Sequence, residues 1–405
     1  MHKIAFVSLL FVLVAAAAAG NSERFVQDRF VIGFWCDPPA DDKMAERYKE
    51  IADANFTLVL GGFATATRET IERQLDLCRK HDLKALVLPA PYAMDALPDG
   101  PECWGYVLRD EPSAADFPVL RKQVDEFRKA RPGKLALINL FPNYCALDRL
   151  GTSSYEEHVA RFMDEVRPDV LCMDHYPLFK PGHDGRQAYC DNLDVMRTYS
   201  LASNVPFWNF FNTMPYGPHT DPTEAQLRWQ VYTSLAYGAK GVLYFCYYTP
   251  LSEEFPKGGA IIGRDGRQTR HYDQAKRINA ELKSLGQTLM NATSTGVCRV
   301  KDDDAAQALA GTPLKNIRRA NEDPPQDYLI GTFALTDGRT AVLLNNYRPD
   351  YAAWPTVEFS AELSRVTEVS KKTGIETPVT DDSPDMEGFQ VSLDAGEGRL
   401  FLVRP

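Results

Sequence analysis

The stretch WGYVLRDEP at residues 104–112 combines the two features on which the fold assignment depends. Its first half is apolar and aromatic, as expected of a strand buried on both faces, and it ends in two acids and a proline. Seven further apolar runs lie between residues 30 and 250, and most end in Pro, Gly, Asn or Asp. The eight runs predict eight strands, at Phe30–Cys36, Phe56–Gly62, Lys84–Ala90, Trp104–Glu111, Lys134–Pro142, Asp169–Pro177, Val205–Thr213 and Gly241–Pro250.

Helical patterns lie between most of these runs, and Ser113 is a plausible N-cap for one of them. The exception is Pro91–Cys103, whose prolines and glycine predict a loop or a broken helix. Strand–helix alternation at a spacing of roughly 30 residues predicts a TIM (β/α)₈ barrel over residues 25–290. The expected helices are Asp42–Ala52, Arg68–His81, Ala115–Ala130, Tyr155–Val166, Asp191–Ala202, Thr223–Tyr237 and Tyr272–Leu289.

The pattern changes after the last of these helices. Short strand candidates follow one another with turn residues between them and no helix, which predicts a small all-β sandwich domain over residues 300–405. The candidate strands are Tyr328–Thr336, Thr340–Asn345, Thr356–Phe359, Val366–Lys371, Gly388–Leu393 and Arg399–Val403.

The first residues predict an export signal over residues 1–20. A positive start at Met1–Lys3 precedes an apolar run at Ile4–Val14 and small residues at Ala15–Ala19. The apolar run is too short for a membrane anchor, and no cysteine marks a lipoprotein cleavage point. We therefore expect a secreted or periplasmic protein.

Composition and motifs narrow the function classes. The net charge of −10 argues against a nucleic-acid partner. There is no CxxC or HExxH pattern, P-loop, dinucleotide fingerprint or serine elbow, so we expect neither a metal nor a cofactor. The eight cysteines are compatible with disulfides in an exported chain, with the pairing open, but three of them lie in apolar runs, where they act as small hydrophobes: Cys36, Cys172 and Cys246.

Barrel enzymes place their reacting groups at the C-terminal ends of the strands, which directs attention to acids there. The fourth run ends in Asp110 and Glu111, and an ion pair with Arg109 or a helix cap is the structural alternative. The sixth run ends in Asp174, whose burial without a partner would be costly. Two carboxyl groups suit glycosidic hydrolysis.

The remaining polar and aromatic residues at the strand ends suit a saccharide, because amides and acids pair with hydroxyls and aromatic rings stack on a sugar face. We therefore predict an oligosaccharide or polysaccharide substrate. The candidate binding residues are Trp35, Asp37, Asn139, His175, Tyr176, Asn209, Asn212, Tyr247 and Tyr248, whereas Trp208 and Trp229 are assigned to the core.

Two segments carry a family resemblance. Residues 104–112 resemble the fourth-strand motif of barrel glycoside hydrolases, and RWQVYTSLAYGAKG at 228–241 resembles the segment entering their eighth strand. Residues 25–290 look most like the family 42 β-galactosidase-like proteins of clan A, which often carry a C-terminal β-sandwich. The resemblance makes Glu111 the acid/base residue, with Asp110 where asparagine is usual.

The chain departs from that family on the seventh strand, where FWNFFN at 207–212 has no acid to serve as nucleophile. One solution makes Asp174 the second carboxylate, since some α-specific barrel glycosidases place acids on strands four and six. Another resembles the substrate-assisted hexosaminidases, in which an Asp orients the sugar's acetamido group and a Glu is the acid. Asp110 and Glu111 would take these roles.

Two other function classes compete with these. A barrel without a seventh-strand acid could bind glycans without cleaving them, and the same fold also supports non-glycosidic hydrolases and lyases. The acids at 110, 111 and 174 favour an enzyme. The sugar, its linkage, retention or inversion of configuration and the oligomeric state stay open.

Overall fold

The computed structural model describes residues 24–61, 67–88, 93–302, 305–319 and 323–404. Its first half is one eight-stranded parallel sheet in which each strand lies beside its sequence neighbours, in the order β1-β8-β7-β6-β5-β4-β3-β2. This confirms the predicted barrel. The strands are β1 Val31–Phe34, β2 Leu58–Gly61, β3 Lys84–Val87, β4 Cys103–Asp110, β5 Leu135–Leu140, β6 Leu171–Asp174, β7 Phe207–Asn212 and β8 Gly241–Phe245.

Helices cover the outside of the sheet. The helix predicted to begin at Asp191 begins earlier, at Arg186, and the Tyr155–Val166 segment changes to a π-helical turn after Arg161. Of the link predicted as a loop or broken helix, the described part holds a single 3₁₀ turn at Met94–Ala96. The helices are α1 Met44–Asp53, α2 Arg68–Lys80, α3 Phe117–Ala130, α4 Leu147–Leu150, α5 Tyr155–Arg161, α6 Arg186–Ser203, α7 Glu224–Ala236 and α8 Arg270–Met290.

Thr57 joins β1 to β2 and so closes the barrel. Its backbone N–H donates to the carbonyl of Ile32 at 2.8 Å, and its hydroxyl accepts from the N–H of Ile32 at 2.9 Å. The same hydroxyl donates to the carbonyl of Phe30 at 3.2 Å. A side chain therefore replaces part of the ladder between the first two strands, and all of these groups are buried.

The alternation of side chains along the strands produces two cores. Inward residues such as Leu60, Leu137, Cys172 and Phe210 fill the barrel, and the predicted core residue Trp208 lies with them. Outward residues pack against the helices. Apolar side chains thus fill the interior of the described part of the barrel, and polar side chains such as Asn139 and Asp174 follow them at the C-terminal ends of the strands.

The second half is all β. It begins at Ala292, ahead of the expected boundary at 300. All six predicted strands are present, five of them with shifted ends. Two antiparallel sheets, in the orders β15-β14-β17-β12-β11-β9 and β10-β13-β16, share one apolar core. The strands are β9 Ala292–Lys301, β10 Leu314–Arg318, β11 Asp327–Leu335, β12 Thr340–Asn346, β13 Thr356–Phe359, β14 Val366–Val369, β15 Glu376–Pro378, β16 Phe389–Gln390 and β17 Gly398–Val403, and a one-turn helix, α9, spans Ala305–Ala308.

The six-stranded sheet packs directly on the barrel helices. Its apolar residues belong to the same core as those of α7, and the amide of Asn345 donates to the carbonyl of Tyr232 at 2.7 Å. At Gly331 a side chain would lie 2.5 Å from the carbonyl oxygen of Ala236, so only glycine permits this approach. The barrel and the β domain therefore share buried surface.

None of the helices in the described part of the chain is long and apolar enough to cross a bilayer. All eight cysteines are free thiols. The predicted signal, residues 1–20, lies outside the described residues.

The closure of the barrel through Thr57 can be tested by Thr57→Val, which keeps the shape and removes the hydroxyl. We expect the free energy of unfolding to fall by about 1–3 kcal/mol, because the buried N–H of Ile32 loses its acceptor. Urea unfolding followed by circular dichroism measures the change. Thr377→Val, at an exposed position, is the control, and equal stability of the two variants would contradict the assignment.

Candidate active site

A bulge in β4 turns Asp110 toward the barrel interior. Val107 pairs with Leu137 on β5, both inside the barrel, and the register then shifts so that Asp110 pairs with Asn139. Simple alternation from Val107 would have pointed Arg109 inward. The extra residue therefore gives Asp110 the inward position.

Glu111 follows in a left-handed backbone conformation, with φ of 46°, and its N–H donates to the carbonyl of Asn139 at 2.8 Å. This region is unfavourable for a residue with a side chain and is found at sites where function fixes the backbone. The bulge and this turn together leave both consecutive acids at the C-terminal mouth of the barrel.

The side-chain amide of Asn139 joins two acids. Its Nδ2 donates to Asp110 at 3.1 Å and to Asp174 at 3.2 Å. Asp174 ends β6 opposite the inward-facing Phe210 and is 7% exposed. The oxygens of the two acids can therefore lie no further apart than the sum of the two hydrogen-bond lengths.

Glu111 occupies the rim of this cluster, where its side chain is 33% exposed and lies 3.4 Å from Arg149. Dehydration and the nearby charge of Asp110 raise the pKa of Glu111, and Arg149 acts in the opposite direction. The carboxyl group consequently holds its proton to a higher pH than an ordinary glutamate does.

The pKa of Asp174 is raised well above its ordinary value, first by burial and then by the charges of Glu111 and Asp110. Hydrogen bonds from Tyr176 and Asn139 favour its ionised form but do not outweigh these effects. The pKa of Asp110 is raised as well, although this residue opens toward solvent, because the surrounding walls displace part of its hydration. The pKa values of all three neighbouring acids are thus raised, and because their charges interact, their titrations are coupled.

Two aromatic residues frame the acids. The Tyr176 ring packs against Phe245 at 5.1 Å between centroids. Tyr144, from the loop after β5, packs edge-on against His175 at 4.9 Å, and the charge of Asp174 contributes to raising the pKa of the Tyr144 hydroxyl. The predicted site residues Asp110, Glu111, Asn139, Asp174 and Tyr176 thus lie together.

Trp35 and Asn212 occupy the same inner layer of the barrel mouth. Trp35 is half-buried and meets Phe210 edge-on at 5.6 Å. Asn212 is fully buried, and neither its Oδ1 nor its Nδ2 has a hydrogen-bond partner within the described ranges. Its amide therefore retains a donor and an acceptor that the described residues do not use.

The other predicted binding residues lie away from the acids. His175 binds Asn192 on α6 through Nδ1 at 3.0 Å, and burial lowers its pKa to about 4, so it is neutral. Asn209 faces the helices, donating to Tyr189 at 2.6 Å. The remaining three lie on the α1 side of the barrel: Asp37 is near Tyr48, Tyr247 stacks on Phe34, and Tyr248 donates to the carbonyl of Arg264.

The sequence analysis missed Tyr144 and Arg149, which both follow β5. The rule that barrel sites use the loops after the strands was the signal available for both residues.

Among the described residues, no group of three or more His, Cys, Asp or Glu side chains has the arrangement of a metal site. The three acids therefore converge without forming a cage for a cation.

Comparisons with known proteins agree with the fold. No family profile and no curated protein matches the sequence. Among solved structures, a β-galactosidase from Bacillus circulans sp. alkalophilus has a TM-score of 0.60 at 9% identity, covering 93% of this chain and 99% of that one. A catalytic mutant of a GH42 β-galactosidase from G. stearothermophilus has a TM-score of 0.59 at 9% identity, covering 95% and 100%. At such identities the similarity establishes a shared architecture of barrel and β domain.

The effect of Arg149 on Glu111 can be tested by Arg149→Ala. Because the guanidinium lowers the pKa of Glu111, we expect its removal to raise that pKa further. A ¹³C NMR titration of protein labelled at glutamate carboxyls measures the shift, with Glu111→Gln to assign the signal. Arg267→Ala, at an exposed arginine paired with Asp265, is the matched control. An unchanged or lower pKa for Glu111 in Arg149→Ala would contradict the ion pair.

Proposed function

We propose that this protein is an exported glycoside hydrolase that cleaves oligosaccharides or polysaccharides, with Glu111 as the general acid and Asp174 as its carboxylate partner. The observation that carries the proposal is the cluster of three acids with raised pKa values around Asn139 at the C-terminal mouth of the barrel. Glycosidic cleavage needs one carboxyl that is protonated and another that is ionised at the same pH.

Glu111 suits the role of the acid. Its raised pKa keeps the proton available toward neutral pH, and its place at the rim lets it reach the oxygen of a departing sugar. Asp110 contributes to this state because its negative charge disfavours ionisation of Glu111.

Asp174 suits the partner role because its deep position fixes its direction. Asn139 holds one oxygen, and the hydrogen bond from Tyr176 favours the charged form. When Glu111 is protonated, one of the two repulsions on Asp174 disappears, so Asp174 ionises more readily. Burial of Asp174 acts against this ionisation. The proposal assigns the proton of the pair to Glu111 in the complex with substrate, where Asp174 acts as base or nucleophile.

Sugar recognition is assigned to neutral groups beside the acids. Asn212 has an unpaired donor and acceptor within the described part of the chain, and Trp35 presents an indole at the inner layer. Hydroxyl groups can satisfy the amide, and a pyranose face can cover the indole.

A second candidate is an N-acetylhexosaminidase-like hydrolase, in which the acetamido group of the substrate attacks. The inward turn of Asp110 beside Glu111 favours it, because Asp110 then faces the position of the sugar. Under this mechanism Asp110→Asn would lower kcat on aryl N-acetylhexosaminides by about 10²-fold or more, while aryl hexosides without the acetamido group would not be cleaved. Cleavage of plain hexosides by the native protein contradicts this candidate.

The roles of Glu111 and Asp174 can be separated with leaving groups of different acidity. We expect Glu111→Gln to lower kcat/KM by about 10²–10⁴-fold on natural disaccharides but far less on dinitrophenyl glycosides, whose leaving group needs no proton. Asp174→Asn should lose activity on both. A panel of aryl glycosides and oligosaccharides, assayed with residues 21–405, identifies the sugar and measures these ratios.

Glu156→Gln, at an exposed acid on α5, is the matched control and should retain the native rates. Full turnover by Glu111→Gln on a confirmed natural substrate would contradict the proposed acid. Saturable sugar binding with no cleavage across the panel would instead indicate a glycan-binding barrel.

A further inference from the structure

A cavity outside the acid cluster lies where the loop after β6 meets the β domain. It has a volume of about 710 Å³ and is lined on the barrel side by residues 177–186 and on the β-domain side by residues around 301, 326 and 349. We call it the junction groove. Its walls mix flat apolar surfaces, from Pro177, Phe179, Pro325 and Pro349, with polar side chains.

The four carboxylates that line the junction groove are paired with arginines, whereas Lys301 has no ion pair among the described residues. Asp184 binds Arg186 at 2.7 Å, and Asp350 binds Arg348 at 2.9 Å. Asp327 is held by Arg299, behind the groove, at 2.6 Å. Carboxylates and guanidinium groups that neutralise one another leave no strong site for an ion but retain many hydrogen-bonding atoms. This chemistry fits a neutral ligand rich in hydroxyls.

One polar atom in the groove lacks a partner. Gln326 is 7% exposed, and its Oε1 accepts no hydrogen bond from the described residues, while its Nε2 donates weakly to the carbonyl of Lys301 at 3.4 Å. A buried amide oxygen without a donor is destabilising by itself. Turning of the side chain toward the groove would let a ligand hydroxyl satisfy it.

A continuous series of rings leads from the acids to this groove. Tyr176, beside Asp174, lies 5.9 Å from His219, which in turn lies 4.7 Å from Phe179. Phe179 meets His183 at 4.3 Å within the groove. We call Tyr176, His219, Phe179 and His183 the aromatic strip. Tyr176 and Phe179 are half-buried and His183 is exposed, so these three rings can contact a sugar, while the buried His219 packs between Tyr176 and Phe179.

We propose that the junction groove binds the distal sugar units of the oligosaccharide whose scissile bond lies at the acid cluster. The inference rests on the proposed function for the class of substrate. It adds a second binding site, built by the β domain together with the loop after β6, and it assigns that domain a role in selecting long chains.

The test measures binding and cleavage separately. Cellohexaose, xylohexaose, mannohexaose and β-1,4-galactohexaose are titrated by calorimetry into the Glu111→Gln protein, alone and combined with Phe179→Ala or Gln326→Leu. For the hexasaccharide that binds, we expect each groove substitution to weaken affinity by about five- to tenfold, as for the loss of one ring or hydrogen-bond contact. In the active protein, the ratio of kcat/KM for the hexasaccharide to that for the disaccharide should fall by a similar factor.

Trp354→Ala, at an exposed aromatic of the β domain outside the groove, is the control and should bind as the parent does. Gln326→Leu should not lower the unfolding temperature, because it removes an unsatisfied atom, which separates loss of binding from loss of folding. Groove variants that bind and discriminate chain length like Trp354→Ala would overturn the proposal, and so would failure of every hexasaccharide to bind. Binding that depends on the groove without any cleavage would support it and contradict the proposed hydrolase instead.

Discussion

Three acidic side chains share a small space at one end of the barrel, and the amide of Asn139 makes this arrangement possible. It donates to one acid on each neighbouring strand, so it favours the charged forms that mutual repulsion and dehydration disfavour. These hydrogen bonds do not fully offset the repulsion and the dehydration, so the pKa values of Asp110 and Asp174 are still raised. The carboxyl groups of the site therefore hold their protons to a higher pH than ordinary carboxyls do, which is a property that acid–base chemistry by carboxyls uses.

The three acids stay close together because the rest of the barrel is rigid. Apolar side chains fill the interior below the acids. Thr57 joins β1 to β2, the two strands at the ends of the hydrogen-bonded order of the sheet. The bulge in β4 places Asp110, and not Arg109, on the inner side of the strand at the mouth of the barrel. The bulge in β4 thus determines that Asp110 faces inward, and the other seven strands form the rigid part of the barrel.

The sequence was sufficient for the architecture because buried parallel strands and amphipathic helices leave periodic patterns. The eight barrel strands and six of the nine later strands were predicted from such patterns, whereas β9, β10 and β15 were not. The residues of β9 alternate weakly and mix glycine with charges. Which acid faces inward could not be derived, since the alternation rule fails at a bulge. Asn209 shows the same limitation, because polarity alone did not reveal that its partners are Tyr189 and Ser234 on the helices.

The absence of an acid on β7 has an electrostatic reason in this site. Asp110 on β4 and Asp174 on β6 flank β5, so a single amide between them can serve both. A carboxyl at position 212 on β7 would lie beyond that amide and would add a fourth charge to a cluster in which dehydration already raises three pKa values. The neutral Asn212 supplies hydrogen-bonding capacity there without the charge. Under the proposed function, concentrating the acids on β4 and β6 would leave the β7 side for binding hydroxyl groups, because Asn139 lies between the two acidic strands.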